Sequence, residues 1–344
     1  MKKIFISLVA IAALAACSKS EVEYEATGEI AFAPVARLNT KAAVTTTDYP
    51  DALNMYVFAN AGTAGAALST FDEPYFANAE FAHGSHATNV FGGITPYYWP
   101  NVKELIFSGY SKSGNTASLT PKPTYVKNGE GVWEINMTGY APTPGTATAG
   151  DNDLMWFPTT EESYGKPASA DFTVDVVMKH ACSWVTINVK GDATTGMEGT
   201  TWKILDLTIA DLAQSGDVVL GAAATWKNLA TGTTFDVYEG TGKALTDEYV
   251  DYTQLTYKDF VVIPQATKTL TVKYSYVSQA GGAADGSDLV IEEEKDVPLT
   301  FNGTNPWEPG VHYTYNITIG TQEILIEPTV KIWDSVTAPD VVLQ

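Results

Sequence analysis

"GVHYTYNITIG", residues 310–320, alternates from one residue to the next. Val311, Tyr313, Tyr315, Ile317 and Ile319 fall on one face, and His312, Thr314, Asn316 and Thr318 on the other. A period of two marks a half-buried strand, because successive side chains of an extended chain point to opposite faces. The same beat recurs in "DFTVDVVM" (Phe172, Val174, Val176, Met178) and "TLTVKYSYV" (Leu270, Val272, Tyr274, Tyr276). Shorter runs are "NMYVFA", "ELIFSGY", "SWVTINV", "WKILDLTI", "DFVVIP" and "VPLTF". No long stretch carries a helical period, and Gly, Pro, Asn and Asp cluster between the runs. The chain therefore reads as all-β, built from antiparallel sandwiches with few or no helices.

A chain of 344 residues suggests two domains. The Gly- and Thr-rich stretch "VKGDATTGMEGTTW" (189–202) marks the boundary, which gives domains at 38–191 and 192–344. "TGYAPTPGTATAGDND" (138–153) reads as a loop in the first, and "SQAGGAADGSD" (278–288) as a hairpin tip in the second.

The chain opens with "MKKIFISLVAIAALAACSKS". Lys2 and Lys3 precede an apolar run from Ile4 to Ala16. That run is too short to span a bilayer core of about 30 Å, so residues 1–16 read as a signal peptide. "LAAC" resembles a bacterial lipobox, in which Cys17 becomes the first residue and carries acyl chains. More than one such chain anchors a protein firmly. The remaining cysteine, Cys182, sits in an apolar strand pattern and reads as a buried structural thiol.

The net charge is −20, and removing residues 1–37 takes away as many basic as acidic residues. So acidic a chain is a poor match for nucleic acid or for adsorption to anionic membranes. The sequence holds no GxSxG, HExxH, Walker loop, CxxC pair or dinucleotide fingerprint, and no cofactor, metal or enzymatic activity is expected. His83 and His86 form a loop pair without a carboxylate or thiol beside them. His180 is placed at the opening of an apolar strand in a packing role, and His312 on a solvated face. The acidic groups Asp151 and Asp153, Glu161 and Glu162, Glu292 to Glu294, and Asp285 and Asp288 read as solvated surface. A glycosidase would need two of them across one cleft. Tyr97, Tyr98 and Trp99 read as packing, with a sugar-stacking platform as the alternative.

One residue stands apart. Arg37 is the only arginine, and every other basic residue is lysine. It directly follows "EIAFAPVA" (29–36), a strand-like segment with Ile30 and Phe32 alternating with alanine. Chance accounts for a lone arginine; so does a protease that distinguishes arginine from lysine.

Read in order, "EIAFAPVA", "YPDALNMYVFAN", "PYYWPNVKELIFSGYSKSG", "NDLMWF", "MKHACSWVTINVK", "FVVIPQ", "PWEPGVHYTYNITIG" and "VKIWD" resemble the fimbrillin family, the type V pilins of Bacteroidales. The resemblance runs from Cys17 to the C-terminus. It implies two transthyretin-like β-sandwich domains in tandem, a lipoprotein precursor at the outer membrane, and removal of the propeptide 17–37 by an arginine-specific protease. The cut then falls between Arg37 and Leu38, with Lys41 and Ala42 as the alternative pair. Removal of the strand carrying Ile30 and Phe32 leaves an apolar groove with unpaired edge groups, which invites a strand from another chain. The C-terminal stretch 334–344, with Val341, Val342 and Leu343, is the candidate donor, and about residues 323–333 read as a strand of their own domain. The expected partners are copies of this chain, other fimbrial subunits and the maturing protease. The alternative is a non-polymerising surface lipoprotein: a fimbrial anchor, a tip adhesin or a glycan-binding module that keeps Cys17.

Overall fold

A computed structural model describes residues 28–36, 49, 52–84, 90–112, 119, 121–142, 153–168, 172–192, 201–231, 233–249, 259–278, 289–300, 306–320, 324–332 and 341–342. The strands of the first half are β1 (Ala31–Ala36), β2 (Met55–Thr63), β3 (Glu73–Ala82), β4 (Phe91–Gly93) and β5 (Lys103–Lys112). They continue as β6 (Thr124–Lys127), β7 (Trp133–Tyr140), β8 (Leu154–Phe157), β9 (Val174–His180) and β10 (Ser183–Gly191). Next come β11 (Thr201–Leu212), β12 (Ser215–Leu220), β13 (Ala224–Ala230), β14 (Thr233–Leu245) and β15 (Asp259–Val262). The last are β16 (Thr269–Ser278), β17 (Leu289–Pro298), β18 (Val311–Ile319), β19 (Ile324–Ile332) and β20 (Val341–Val342). One 3₁₀ turn, Leu68–Thr70, stands among them, so the all-β reading holds for the described residues.

Seven strands close a barrel in the order β1-β4-β3-β2-β5-β8-β9. Its core holds Ile30, Phe32, Met55, Val57, Phe81, Phe91, Phe107, Phe157, Val174, Val176 and Met178. Alternation accounts for this set: Val174, Val176 and Met178 point inward from β9, while Asp175 and Val177 between them are exposed. Gly109 permits one close approach, because a Cβ there would lie 2.4 Å from the Phe157 ring.

A five-stranded sheet, β15-β10-β18-β19-β20, and a four-stranded sheet, β14-β11-β16-β17, enclose a second core. β10 and β18 supply Val185, Ile187, Val189, Tyr313, Tyr315, Ile317 and Ile319 to it. β11 and β16 answer with Ile204, Leu207, Ile209, Leu270, Val272 and Tyr274. The opening stretch thus buries the face that its alternation assigns to the core.

The remaining sheet, β13-β12-β7-β6, lies on the outside of the barrel. A third core unites Tyr56, Phe58, Tyr110, Leu154 and Trp156 of the barrel with Ile135, Met137, Val218 and Leu220 of this sheet. The division expected near residue 191 comes directly after β10, whose Val185, Ile187 and Val189 already line the second core. Even so, the hairpin β12–β13 crosses back to pair with β7, through Val218–Met137, Val219–Asn136 and Leu220–Ile135. Two indole N–H groups pin the arrangement: Trp156 donates to the Gly221 carbonyl at 3.1 Å, and Trp226 to the Ala181 carbonyl at 2.7 Å.

Candidate functional site

The barrel depends on β1 for closure. β1 pairs antiparallel with β4 through Ala31–Gly92 and Phe32–Phe91. It pairs parallel with β9 from Phe32–Val174 to Ala36–Met178. This is the one parallel ladder of the barrel among the described residues, and parallel ladders are slightly weaker per residue than antiparallel ones.

Two side chains hold β1 in place. Phe32 is fully buried, with ring centroids 4.9 Å from Phe81, 5.1 Å from Phe107 and 6.1 Å from Phe157. The first two contacts are edge-to-face, the arrangement that the aromatic quadrupole favours. Ile30 is fully buried as well, and its N–H donates to the Tyr97 carbonyl at 2.7 Å. Burial of each such side chain stabilises by about 1.5–3 kcal/mol. Before β1 begins, Glu29 forms a bridge with Tyr98.

Pro34 lies buried within β1. Backbone N–H groups alternate between the two sides of a strand, so Pro34 shares the side of Ile30, which faces β4. The β4 ladder ends at Phe32, so the missing donor of Pro34 removes no ladder bond. Tyr49 supports the same region from beyond β1. It is buried against Phe91 at 5.2 Å, and its hydroxyl donates to Ser111. Burial pushes that hydroxyl up from its ordinary pKa.

The residues singled out from sequence fall into three groups. Ile30 and Phe32 sit where their alternation places them, in the barrel core. Cys17, Arg37, Leu38, Lys41 and Ala42 lie outside the described residues, although Arg37 is the residue directly after β1. Val341 and Val342 form β20, which pairs antiparallel with Val330 and Thr329 on the edge of β19; Leu343 lies outside the described residues. β19 itself pairs with β18 along its whole length.

Other expectations need adjustment. His180 ends its strand instead of opening it, and it is buried against the Asp153 carboxylate. Asp153 is thus core and not solvated surface. His312 is stacked on Trp184 at 3.8 Å and held 2.8 Å from the Thr186 hydroxyl, so its face is structured and only partly open. "YYW" splits: Trp99 is buried, Tyr97 packs on the barrel core at its rim, and Tyr98 is 48% exposed. Tyr75, 38% exposed, donates its hydroxyl to the Tyr98 carbonyl. Cys182 is fully buried, and burial pushes its thiol well above the ordinary range, as befits an inert core residue. His86, Asp151, Asp285 and Asp288 lie outside the described residues. No group of three His, Cys, Asp or Glu among the described residues has the arrangement of a metal site. The site residues that sequence reasoning missed are Pro34, Tyr75 and the Tyr97 carbonyl. A backbone carbonyl leaves no trace in a sequence; Pro34 did, since a proline in a strand marks a place without a ladder partner.

The fimbrillin-like family model matches residues 40–333. The chain belongs to the fimbrillin-like family. Membership carries a fimbrial or adhesive role at the cell surface, in assembly with other fimbrial subunits. A fimbrial protein from Bacteroides vulgatus, 18% identical, superposes with a TM-score of 0.61 over 89% of this chain and 99% of its own. At that identity the likeness concerns the fold. A cell adhesion protein from Bacteroides uniformis, described as putative, is 15% identical with a TM-score of 0.49, over 89% of this chain and 99% of its own. No curated protein sequence matches the chain.

Proposed function

We propose that this fimbrillin-like chain is a structural subunit of surface fimbriae, activated by removal of β1. It is exported as a lipoprotein through Cys17 and cut after Arg37. The C-terminal segment 334–344 of one copy then fills the groove that β1 vacates in the next. One observation carries the reading: β1 closes the barrel around a fully buried Phe32 and ends at Ala36, directly before the lone arginine.

The physical consequences follow from the geometry. Without β1, Phe81, Phe107 and Phe157 lose the ring that fills the space between them. The edges of β4 and β9 lose their backbone partners. Unpaired edges beside an apolar slot are a template for strand addition. A joint between the groove of one copy and the tail of another is head-to-tail and does not close on itself, so it grows a filament. The barrel then serves as the groove-bearing unit, and the two sheets around the second core as the tail-bearing unit.

N-terminal sequencing of the protein from sheared surface fractions tests the reading, with Arg37→Lys in parallel. The expected result is a start at Leu38 in high-mass polymers, lost in the variant. A start at Ala42 moves the cut to Lys41. A start at lipidated Cys17 in a monomer overturns the reading in favour of an anchor or a binding lipoprotein.

A further inference from the structure

We propose that the uncut precursor rests one rim of its barrel, the rim at which β1 begins, on a lipid surface whose headgroups carry no net charge. Tyr75, Ile94, Tyr98 and Val102 are the side chains that enter the headgroup layer. The inference concerns the chain before it polymerises, and it rests on the lipoprotein reading above for its tether at Cys17.

The ladders fix which loops share that rim. The pairs Ala31–Gly92, Phe81–Gly93, Ala61–Glu73 and Thr63–Lys103 bring together the start of β1, the β2–β3 loop and the loop 94–102 between β4 and β5. β9 leads into β10 and the second core from the opposite rim. β1 also ends there, after six residues that span about 20 Å at the rise of a strand.

The rim of β1's start is unusually apolar for a surface. Nine large apolar side chains are exposed among the described residues, and four of them stand here. Val102 is 84% exposed and Ile94 60%, with Tyr98 and Tyr75 beside them. The loop "ITPYYWPNV" (94–102) holds no charged residue. Its base is fixed: Trp99 is buried, the Tyr97 carbonyl accepts the Ile30 N–H, and the Tyr98 carbonyl accepts the Tyr75 hydroxyl. Exposed apolar groups gathered on one face mark a contact surface. Tyrosines and aliphatic tips are the side chains that settle at a membrane interface.

The tether decides the occupant. Cys17 stands eleven positions before Gly28, so its acyl chains lie within about 40 Å of this rim even along a fully extended chain. A short tether holds the rim at a high effective concentration beside the bilayer, where contacts too weak to bind from solution become occupied. The charges select the headgroup. Lys103 is paired with Glu73 and Lys127 with Asp72, and exposed Glu161 and Glu162 outweigh Lys166 on the connection from β8 to β9. No cationic excess draws this rim to an anionic surface, and the net charge of −20 opposes one. In this pose the end of β1 is held clear of the lipid, open to a protease. Loss of Cys17 with the propeptide then removes the tether, and the subunit leaves the surface.

Depth-dependent quenching tests the pose. The lipidated full-length precursor is reconstituted in phosphatidylcholine vesicles that contain doxyl-labelled lipid as quencher. Cys17 carries the acyl chains and Cys182 is buried, so an introduced cysteine takes a fluorescent label selectively. Val102→Cys is compared with Val290→Cys, an exposed position on β17. The expected result is quenching several-fold stronger at position 102, reduced toward the level at 290 by Ile94→Ser with Tyr98→Ser. Equal quenching at the two positions, or quenching at 102 that ignores the serines, overturns the pose. A label at 102 shielded from aqueous iodide yet untouched by the lipid quencher indicates contact with a second copy and overturns it as well. A mass spectrum without acyl chains on Cys17 overturns instead the lipoprotein reading on which the tether rests.

Discussion

Phe32 sets its ring edge-on to Phe107 across the barrel, with centroids 5.1 Å apart and planes at 88°. The first strand of the chain is thereby seated on β5, a strand with which it shares no backbone ladder. The contact makes β1 part of the core although the ladders on its two sides are short.

Truncation at that contact has a large expected cost in the uncut precursor. Phe32→Ala removes a fully buried ring and leaves a cavity, worth about 3–5 kcal/mol. Urea unfolding of the purified precursor reads this as a lower midpoint. The chain cleaved after Arg37 no longer contains residue 32, so once β1 has been displaced its midpoint is the same with either residue. An unchanged midpoint in the precursor contradicts the seating of β1 in the barrel.

Gly109→Ala attacks the same aromatic cluster from the other side. The new Cβ would meet the Phe157 ring at 2.4 Å, and Phe157 in turn lies against Phe32. Overpacking of this kind costs about 1–3 kcal/mol. Thermal unfolding of the precursor is expected to shift downward, and a neutral result would show that the ring yields freely.

Leu220 belongs to the second half of the sequence but packs on the barrel through the shared sheet. Leu220→Ala is expected to cost about 2–5 kcal/mol. Because the hairpin β12–β13 joins the sheet of β7, the loss should reach the barrel. Hydrogen exchange is the readout: protection of β2 and β8 amides falls along with that of β12. Loss confined to residues after 200 would mean that the shared core does not couple the halves.

Alkaline pH gives a signed prediction. Burial foremost, then Glu80, pushes the Tyr56 hydroxyl up from 10.0 to about 12. Burial foremost also raises Tyr164 and Tyr313 to about 12. The folded state therefore holds these protons more tightly than the unfolded chain. Their contribution is fully present below about pH 10 and is lost as pH rises through about 12. Denaturant midpoints measured across that window should fall, with phenolate absorbance growing in step with unfolding. A rise in stability above pH 10 contradicts the burial of these hydroxyls.

Much of the architecture is legible in the chain itself. The alternation of "HYTYNITI" assigns Tyr313, Tyr315, Ile317 and Ile319 to a core, and all four are buried there. Ile30 and Phe32 likewise follow from "EIAF". Histidines and acids are harder to place, because a polar side chain reads the same whether it faces water or a buried partner. His180 shows the difficulty: its strand pattern is plain, while the Asp153 carboxylate that satisfies it arrives from the start of β8, 27 residues earlier.

Local pattern thus specifies the strands and the inward face of each, because these depend on side-chain alternation and on neighbours along the chain. It leaves open which strands lie side by side. Backbone N–H and C=O groups are the same in every strand, so the pairing of β1 with β9, or of β12 with β7, comes from the way whole faces pack. The same limit applies to the candidate site. "EIAFAPVAR" announces a strand before a lone arginine, but the closure of the barrel by that strand is a property of the assembled sheet.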